Sequence, residues 1–256
     1  MAISQGRSFT RANSLYERSV TPRRSQQIRG LLNRSTAETA ALLATTILCE
    51  FLNRWNNAGP DEVALAQAAV RQALAADPTL YLAHYAQGFL FRIRGRHPDA
   101  LAAFDRTIQH APDFARAYAQ RGEELLYLGR FQDAIVAAGR AKQISPESSV
   151  KGYFDWVIGR AHFFLGQYPE AIDALESSVR TWPNVWYNRT YLIAAHALSG
   201  KRSDARRVLR AFDRRFPGYT VARVIENETA TPDTNRLVRA GRGRFHQGLS
   251  DAGMPA

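Results

Sequence analysis

One cysteine, two methionines and three lysines among 256 residues leave several kinds of chemistry without their usual means. A lone thiol, Cys49, can build neither a disulfide framework nor a cysteine-based metal site. It sits on an apolar stretch with no base nearby in sequence, so a buried, inert thiol is expected. The six histidines, at 84, 97, 110, 162, 196 and 246, form no HExxH pair. No Gly-x-Ser-x-Gly elbow occurs, and GRGR at 241–244 follows no strand that would make it a phosphate loop. These absences argue against an enzyme and call for neither metal nor cofactor. The longest apolar run, Thr39 to Leu52, contains Glu50 and is shorter than the ~20 residues a membrane span requires. The first 30 residues hold no apolar core of secretory type, so no membrane span and a cytoplasmic location are expected.

Acidic charge is also scarce, leaving a net charge of +11. Its position matters more than its size. Residues 1–35 carry seven arginines against one acid, and residues 201–256 carry twelve basic against six acidic residues. The remainder, 36–200, has fifteen basic and sixteen acidic residues, so the middle of the chain is nearly neutral. With so few lysines, the arginine and alanine content matches what a GC-rich bacterial genome produces without selection for phosphate binding. No aromatic-basic interleaving or recognition helix appears, and nucleic acid is not expected as a partner. Residues 1–35, rich in Ser, Arg, Gln and Thr without periodicity, are expected to be a disordered basic leader.

What the chain does have is a period. Prolines at 78, 112, 146, 183 and 217 are spaced by 34, 34, 37 and 34 residues, and Gly95, Gly129, Gly166 and Gly200 each precede an alanine by five: Ala100, Ala134, Ala171 and Ala205. Repetition on this scale marks a stack of supersecondary units. Each unit reads as two antiparallel helices. Glycine ends the first, Asp99, Asp133, Glu170 or Asp204 stabilises the start of the second, and proline ends it. Gly88, Gly122 and Gly159 are placed opposite Ala100, Ala134 and Ala171, where small side chains let two helices approach. The three extra residues before the fourth unit are expected in a longer loop, SPESSVKG.

These features resemble the tetratricopeptide repeat, a helix-turn-helix of about 34 residues. The resemblance implies an all-α solenoid, a right-handed superhelix of antiparallel hairpins. About five units are assigned: 47–80 (degenerate, with Asn56-Asn57-Ala58-Gly59-Pro60 replacing the tight turn), 81–114, 115–148, 152–185 and 186–219. Within the array, His162 and His196 fall at the same place in successive units. Residues 220–256 are read as a linker and C-terminal capping helix, with Leu237, Val238, Phe245 and Leu249 on its apolar side. This tail, from PGYTVARVIENE to GLSDAGMPA, is also similar to the ends of tetratricopeptide regions in bacterial class III adenylate cyclases, although no stretch is left for a cyclase domain.

Such a solenoid implies a groove lined by the first helix of each unit, and a function as a protein-interaction scaffold gripping a partner's peptide segment. The alternative implied by the tail is a sensor acting on a separate cyclase or transcription regulator. By alignment with the repeat, groove positions fall to Tyr85, Phe89 and Arg92 in the second unit, Arg116, Glu123 and Tyr127 in the third, Tyr153, Trp156, Arg160 and Phe163 in the fourth, and Tyr187 and Thr190 in the fifth. Aromatic residues and arginine bury much area with few rotors and can meet carboxylates bidentately. About half of these aromatics could equally fill the space between hairpins, and Phe104, Tyr118, Phe131, Phe164 and Trp182 are assigned to the core. Tyr85 and Phe89 occupy places where the carboxylate clamp of chaperone cofactors has Lys and Asn, which disfavours a chaperone tail as guest. Replacing Trp156 and Arg160 by alanine is expected to abolish partner binding with the melting temperature nearly unchanged.

Overall fold

The computed structural model describes residues 36–53, 59–228 and 235–256; the expected basic leader and residues 56–58 of the degenerate turn lie outside them. The described residues form twelve helices and no strand, arranged as a tetratricopeptide-type α-solenoid. They divide between two compact units, residues 1–111 and 112–256. The first contains α1 (Ala37–Asn53), α2 (Pro60–Ala76), α3 (Tyr81–Ile93) and α4 (His97–His110). The second contains α5 (Ala115–Tyr127), α6 (Phe131–Ile144), α7 (Lys151–Leu165), α8 (Tyr168–Thr181), α9 (Tyr187–Leu198), α10 (Arg202–Arg215), α11 (Val221–Glu228) and α12 (Arg236–Ala252).

The hairpins share one locally encoded turn. Gly95, Gly129, Gly166 and Gly200 have φ between 67° and 80°, a left-handed conformation that only glycine adopts cheaply. In each, the N–H after the glycine returns to a carbonyl five residues back: Arg96 to Phe91, Arg130 to Leu125, Gln167 to His162 and Lys201 to His196, all at 2.8–2.9 Å. Orphan carbonyls at the first helix's end are thereby satisfied. The acids expected in the following turn are there, and Arg96–Asp99, Arg130–Asp133 and Arg207–Asp204 close at 2.8, 2.6 and 3.0 Å. Pro112, Pro146, Pro183 and Pro217 each stand one residue beyond a helix C-cap.

In the first unit, α3 packs on α1 and α2 through Ala41, Ala73, Leu80, Leu82 and Ala83. Helix α1 starts ten residues ahead of position 47. Its Cys49 is half-buried rather than enclosed. Helix α2 opens at Pro60, with Glu62 accepting the Gly59 N–H at 2.8 Å. His84 stacks on His110 at 5.5 Å, and its Nε2 lies 2.9 Å from the Pro78 carbonyl.

In the second unit, α7 packs on α6 and α9 on α8, while α5, α7 and α9 form a contiguous row of first helices. Alanine makes the close approach possible: Ala115, Ala119 and Ala141 surround Phe154. Beyond alanine, the small-residue contacts fall a helical turn later than expected. A Cβ on Gly159 would meet the Leu175 side chain at 2.6 Å, and one on Gly88 would meet Phe104 at 2.5 Å; only Gly122 lies against Ala134 itself, at its carbonyl oxygen. Tyr118 and Trp182, assigned to the core from sequence, are half-buried, whereas Phe104, Phe131 and Phe164 are buried. The extra residues of the fourth unit only partly enter the loop. Residues 145–150 connect α6 to α7, and α7 itself runs to 15 residues.

A buried acid ties three helices together. Asp155 on α7 is 3 % exposed, meets Lys142 Nζ of α6 at 2.5 Å and accepts from Ser177 Oγ of α8 at 2.6 Å. Asp155→Ala is expected to lower unfolding free energy by about 1–3 kcal/mol, because it leaves Ser177 without its acceptor; urea denaturation checks this.

Candidate functional site

The first-helix row of the second unit converges on Arg160. Its side chain is buried, and the guanidinium carbon lies 5.2 Å from the Trp156 ring, 5.3 Å from Tyr127 and 5.5 Å from both Phe164 and Tyr191. Four rings from α5, α7 and α9 thus enclose one cation, a favourable electrostatic arrangement when desolvated. No acceptor lies at hydrogen-bond distance of Nε, and the indole N–H of Trp156 also lacks one. Burial alone would favour losing the charge; Tyr191, Tyr127, Glu228 and Glu123 outweigh it, and the net direction is upward. Arg160 therefore stays a cation. Tyr191 is held well above the usual phenol value, chiefly by burial, and donates to Glu228 Oε1 at 2.9 Å. The other oxygen of Glu228 lies 3.4 Å from His246 Nε2.

Around this centre the aromatic residues continue. Trp156 stacks on Tyr153 at 5.7 Å and meets Tyr187 at 4.8 Å. The Tyr153 hydroxyl donates to the Glu123 carboxylate and lies 3.1 Å from Gln120 Oε1. Of the residues read from the sequence as groove-lining, Tyr127, Tyr153, Trp156, Arg160 and Tyr187 are brought together here, with Arg116 half-buried on α5. Phe163 and Thr190 are fully buried in packing. Tyr85, Phe89 and Arg92 belong to a separate cluster in the first unit. All three are buried; Tyr85 and Phe89 meet Phe104 of α4 edge-on at 5.7 and 5.6 Å, and Arg92 lies over Phe89 and Phe104. They join α3 to α4.

The sequence reading missed Tyr191 and Glu228, which fall outside the repeat's groove positions, and treated Phe164 as core alone. It also gave Trp156 too little burial: at 6 % exposed, the indole is packing as well as surface. The histidine pair does not form a site. His162 is half-buried, with Nδ1 2.7 Å from Gln167 Oε1, while His196 is buried with neither ring nitrogen hydrogen-bonded. Among the described residues, no group of three or more His, Cys, Asp or Glu could hold a metal ion.

His196 supplies a pH prediction. Burial, opposed by Asp204 and Glu176, holds its pKa below the ordinary 6.5, so the unfolded chain binds the extra proton more readily than the native one. The stability it contributes is present above pH 6.5 and lost as pH falls through the lower native value. Thermal melts from pH 7.5 to 5 should show Tm falling on the acid side, and His196→Asn should flatten that limb.

Residues 61–113, 90–149 and 157–220 match the tetratricopeptide repeat family. These segments cover more than half of the chain, and it belongs to that family. No curated protein matches it. Among solved structures it is similar to PilW, described as a widely conserved type IV pilus biogenesis factor, at TM-score 0.62 and 16 % identity over 82 % of this chain and 94 % of that one. The Pseudomonas aeruginosa protein pilF is similar at TM-score 0.61 and 16 % identity, over 84 % and 92 % of the two chains. YrrB, described as a tetratricopeptide protein with an unusual peptide-binding site, is similar at TM-score 0.50 and 17 % identity, over 72 % and 90 %. At these identities the likeness concerns the fold. No helix among the described residues is long and apolar enough to cross a membrane.

Proposed function

We propose that the chain is a non-catalytic scaffold that holds a polypeptide segment of a partner on the first-helix face of residues 112–256. Arg160 is the anchor, with Tyr127, Tyr153, Trp156, Tyr187 and Arg116 around it. The observation that carries this reading is the buried guanidinium under four rings whose Nε has no acceptor. Glu123 and Glu228 of the same chain act on this cation, while Arg160 Nε and Trp156 Nε1 are enclosed without acceptors, a costly arrangement that a partner's carboxylate would relieve once the rings part to admit it. The peptide-binding site described for YrrB supports the class of function. Arg160→Met keeps the volume and removes the charge. Affinity capture from the native host followed by mass spectrometry should retain proteins on the wild type that are lost on Arg160→Met, with Tm changed by only a few degrees. An unchanged set of captured proteins would remove Arg160 from the interface. The cyclase-linked reading rests on similarity of the tail alone, and co-expression with a class III cyclase, read out as cyclic-nucleotide level, separates it from this one.

A further inference from the structure

Part of the face just described, at Phe164 and Tyr191, is already covered by a helix of the same chain. Helix α12 packs against α9, and also against α7, α10 and α11. Its N-cap, Asn235, donates from Nδ2 to the Leu128 carbonyl at the end of α5 at 2.8 Å. One and a half turns later Gly241 lies flat on Phe164 near the end of α7, so close that a Cβ would fall 1.9 Å from the ring, and Arg244 donates to the Phe164 carbonyl at 2.8 Å. Phe245 then stacks on Tyr191 at 4.0 Å and 9° and meets Phe163 edge-on at 6.1 Å. Gly248 presses on Ala194 of α9, where a Cβ would come within 2.9 Å of the Ala194 carbonyl oxygen. The path ends where the Pro255 carbonyl accepts the Val221 N–H of α11 at 2.8 Å. A helix of 17 residues is about 26 Å long, enough to cross α7 and α9 from a start at the end of α5.

A cap on the end of the last hairpin would repeat the way α9 sits on α8. Helix α12 instead lies across α7 and α9, each the first helix of its hairpin, with its N-cap at the end of a third, α5, and α11 places Glu228 beside Tyr191 and within electrostatic reach of Arg160. The buried side of α12 is narrow: Val238, Gly241, Arg242, Phe245, Gly248, Leu249 and Ala252 are enclosed, while Arg236, Leu237, Arg239, Gly243, Gln247 and Asp251 face solvent. Leu237, expected on the apolar side, is 59 % exposed. Two glycines seven residues apart with Phe245 between them allow backbone-close seating, the pattern of an amphipathic helix laid in a groove.

We infer that the first-helix face of residues 112–256 is a receptor groove for an amphipathic helix of the pattern small-x3-aromatic-x2-small, and that α12 is its intramolecular occupant, which a partner helix of that pattern must displace. The inference rests on the proposed function and names its partner class. Apparent affinity for a guest is lowered by the fraction of molecules in which α12 is seated.

A fluorescein-labelled peptide of residues 235–256 is the probe, titrated by anisotropy into the full-length chain. Wild type should bind it about ten-fold or more weakly than Gly241→Leu, whose own α12 cannot seat against Phe164. A peptide carrying the same Gly241→Leu change should not bind either protein. Equal binding by wild type and variant, or none by the variant while its circular dichroism stays helical, overturns the inference. Phe245→Ala, which loosens α12 without a clash, should give intermediate affinity, and no gain over wild type counts against the inference. In hydrogen exchange of the wild type, amides of α12 should open ahead of those in α7 and α9; joint opening makes α12 fixed structure and overturns it as well. Light scattering guards against a second copy: a dimer of Gly241→Leu with exchanged α12 helices would make the occupant another copy of this chain. Loss of captured partners in Arg160→Met alongside failure of the peptide arm would overturn this inference alone and leave the proposed function standing.

Discussion

Truncating Trp156 to alanine should destabilise the 112–256 unit by about 3–5 kcal/mol, the cost of removing a large buried aromatic from a packed site. The indole is 6 % exposed, stacks on Tyr153, meets Tyr187 and lies under Arg160. Its removal opens a cavity between α7 and α9 and strips one of four rings from a buried cation. The double alanine change of Trp156 and Arg160 therefore cannot leave the melting temperature unchanged, as the sequence alone suggested. Trp156→Phe retains most of the volume and should cost much less. Urea denaturation followed by far-UV circular dichroism distinguishes the two. Loss below about 1 kcal/mol for Trp156→Ala would mean the site collapses around the gap, and would return Trp156 to the role of an exposed contact.

The contrast shows what is legible in a repeat sequence. Turn glycines, first-turn acids and terminal prolines act within a few residues of themselves, so their spacing reports the hairpins directly. The first-helix row also follows from that register, and Tyr127, Tyr153, Trp156, Arg160 and Tyr187 do gather on it. Whether a side chain on that row is open or covered depends on what the chain brings back from elsewhere. Asn235 reaches Leu128 across 107 residues of sequence, and Glu228 reaches Tyr191 from outside the repeats. No periodicity encodes such contacts. Gly241, Phe245 and Gly248 carried the signal, since glycines on one face of a helix mark close backbone approach, but their partner could not be read from one strand of spacing. Tyr85 and Phe89 failed differently: an aromatic at a first-helix position fits a groove or the space under Phe104 equally well.

Two glycines inside helices should respond to alanine with opposite signs, because what the added methyl meets differs. At Gly159, in the middle of α7, a Cβ would lie 2.6 Å from Leu175 Cγ and 3.2 Å from the Leu175 backbone nitrogen. Relief requires the α7–α8 hairpin to spread, and the Leu175 side chain, fully buried, has no free rotamer to move into. Overpacking of this kind costs about 1–3 kcal/mol, and Gly159→Val, with two more methyls on a stiff branch, should exceed Gly159→Ala. At Gly139, on α6, a Cβ meets nothing within 4 Å. There alanine only removes backbone freedom from the unfolded chain and improves helix propensity, so Gly139→Ala should raise stability by about 0.5–1 kcal/mol. Thermal melts of the three variants should rank Gly139→Ala above wild type, then Gly159→Ala, then Gly159→Val. A Gly159→Ala protein as stable as wild type would show that the first and second helices of that hairpin can separate without loss, and that small residues at this position serve something other than their close approach.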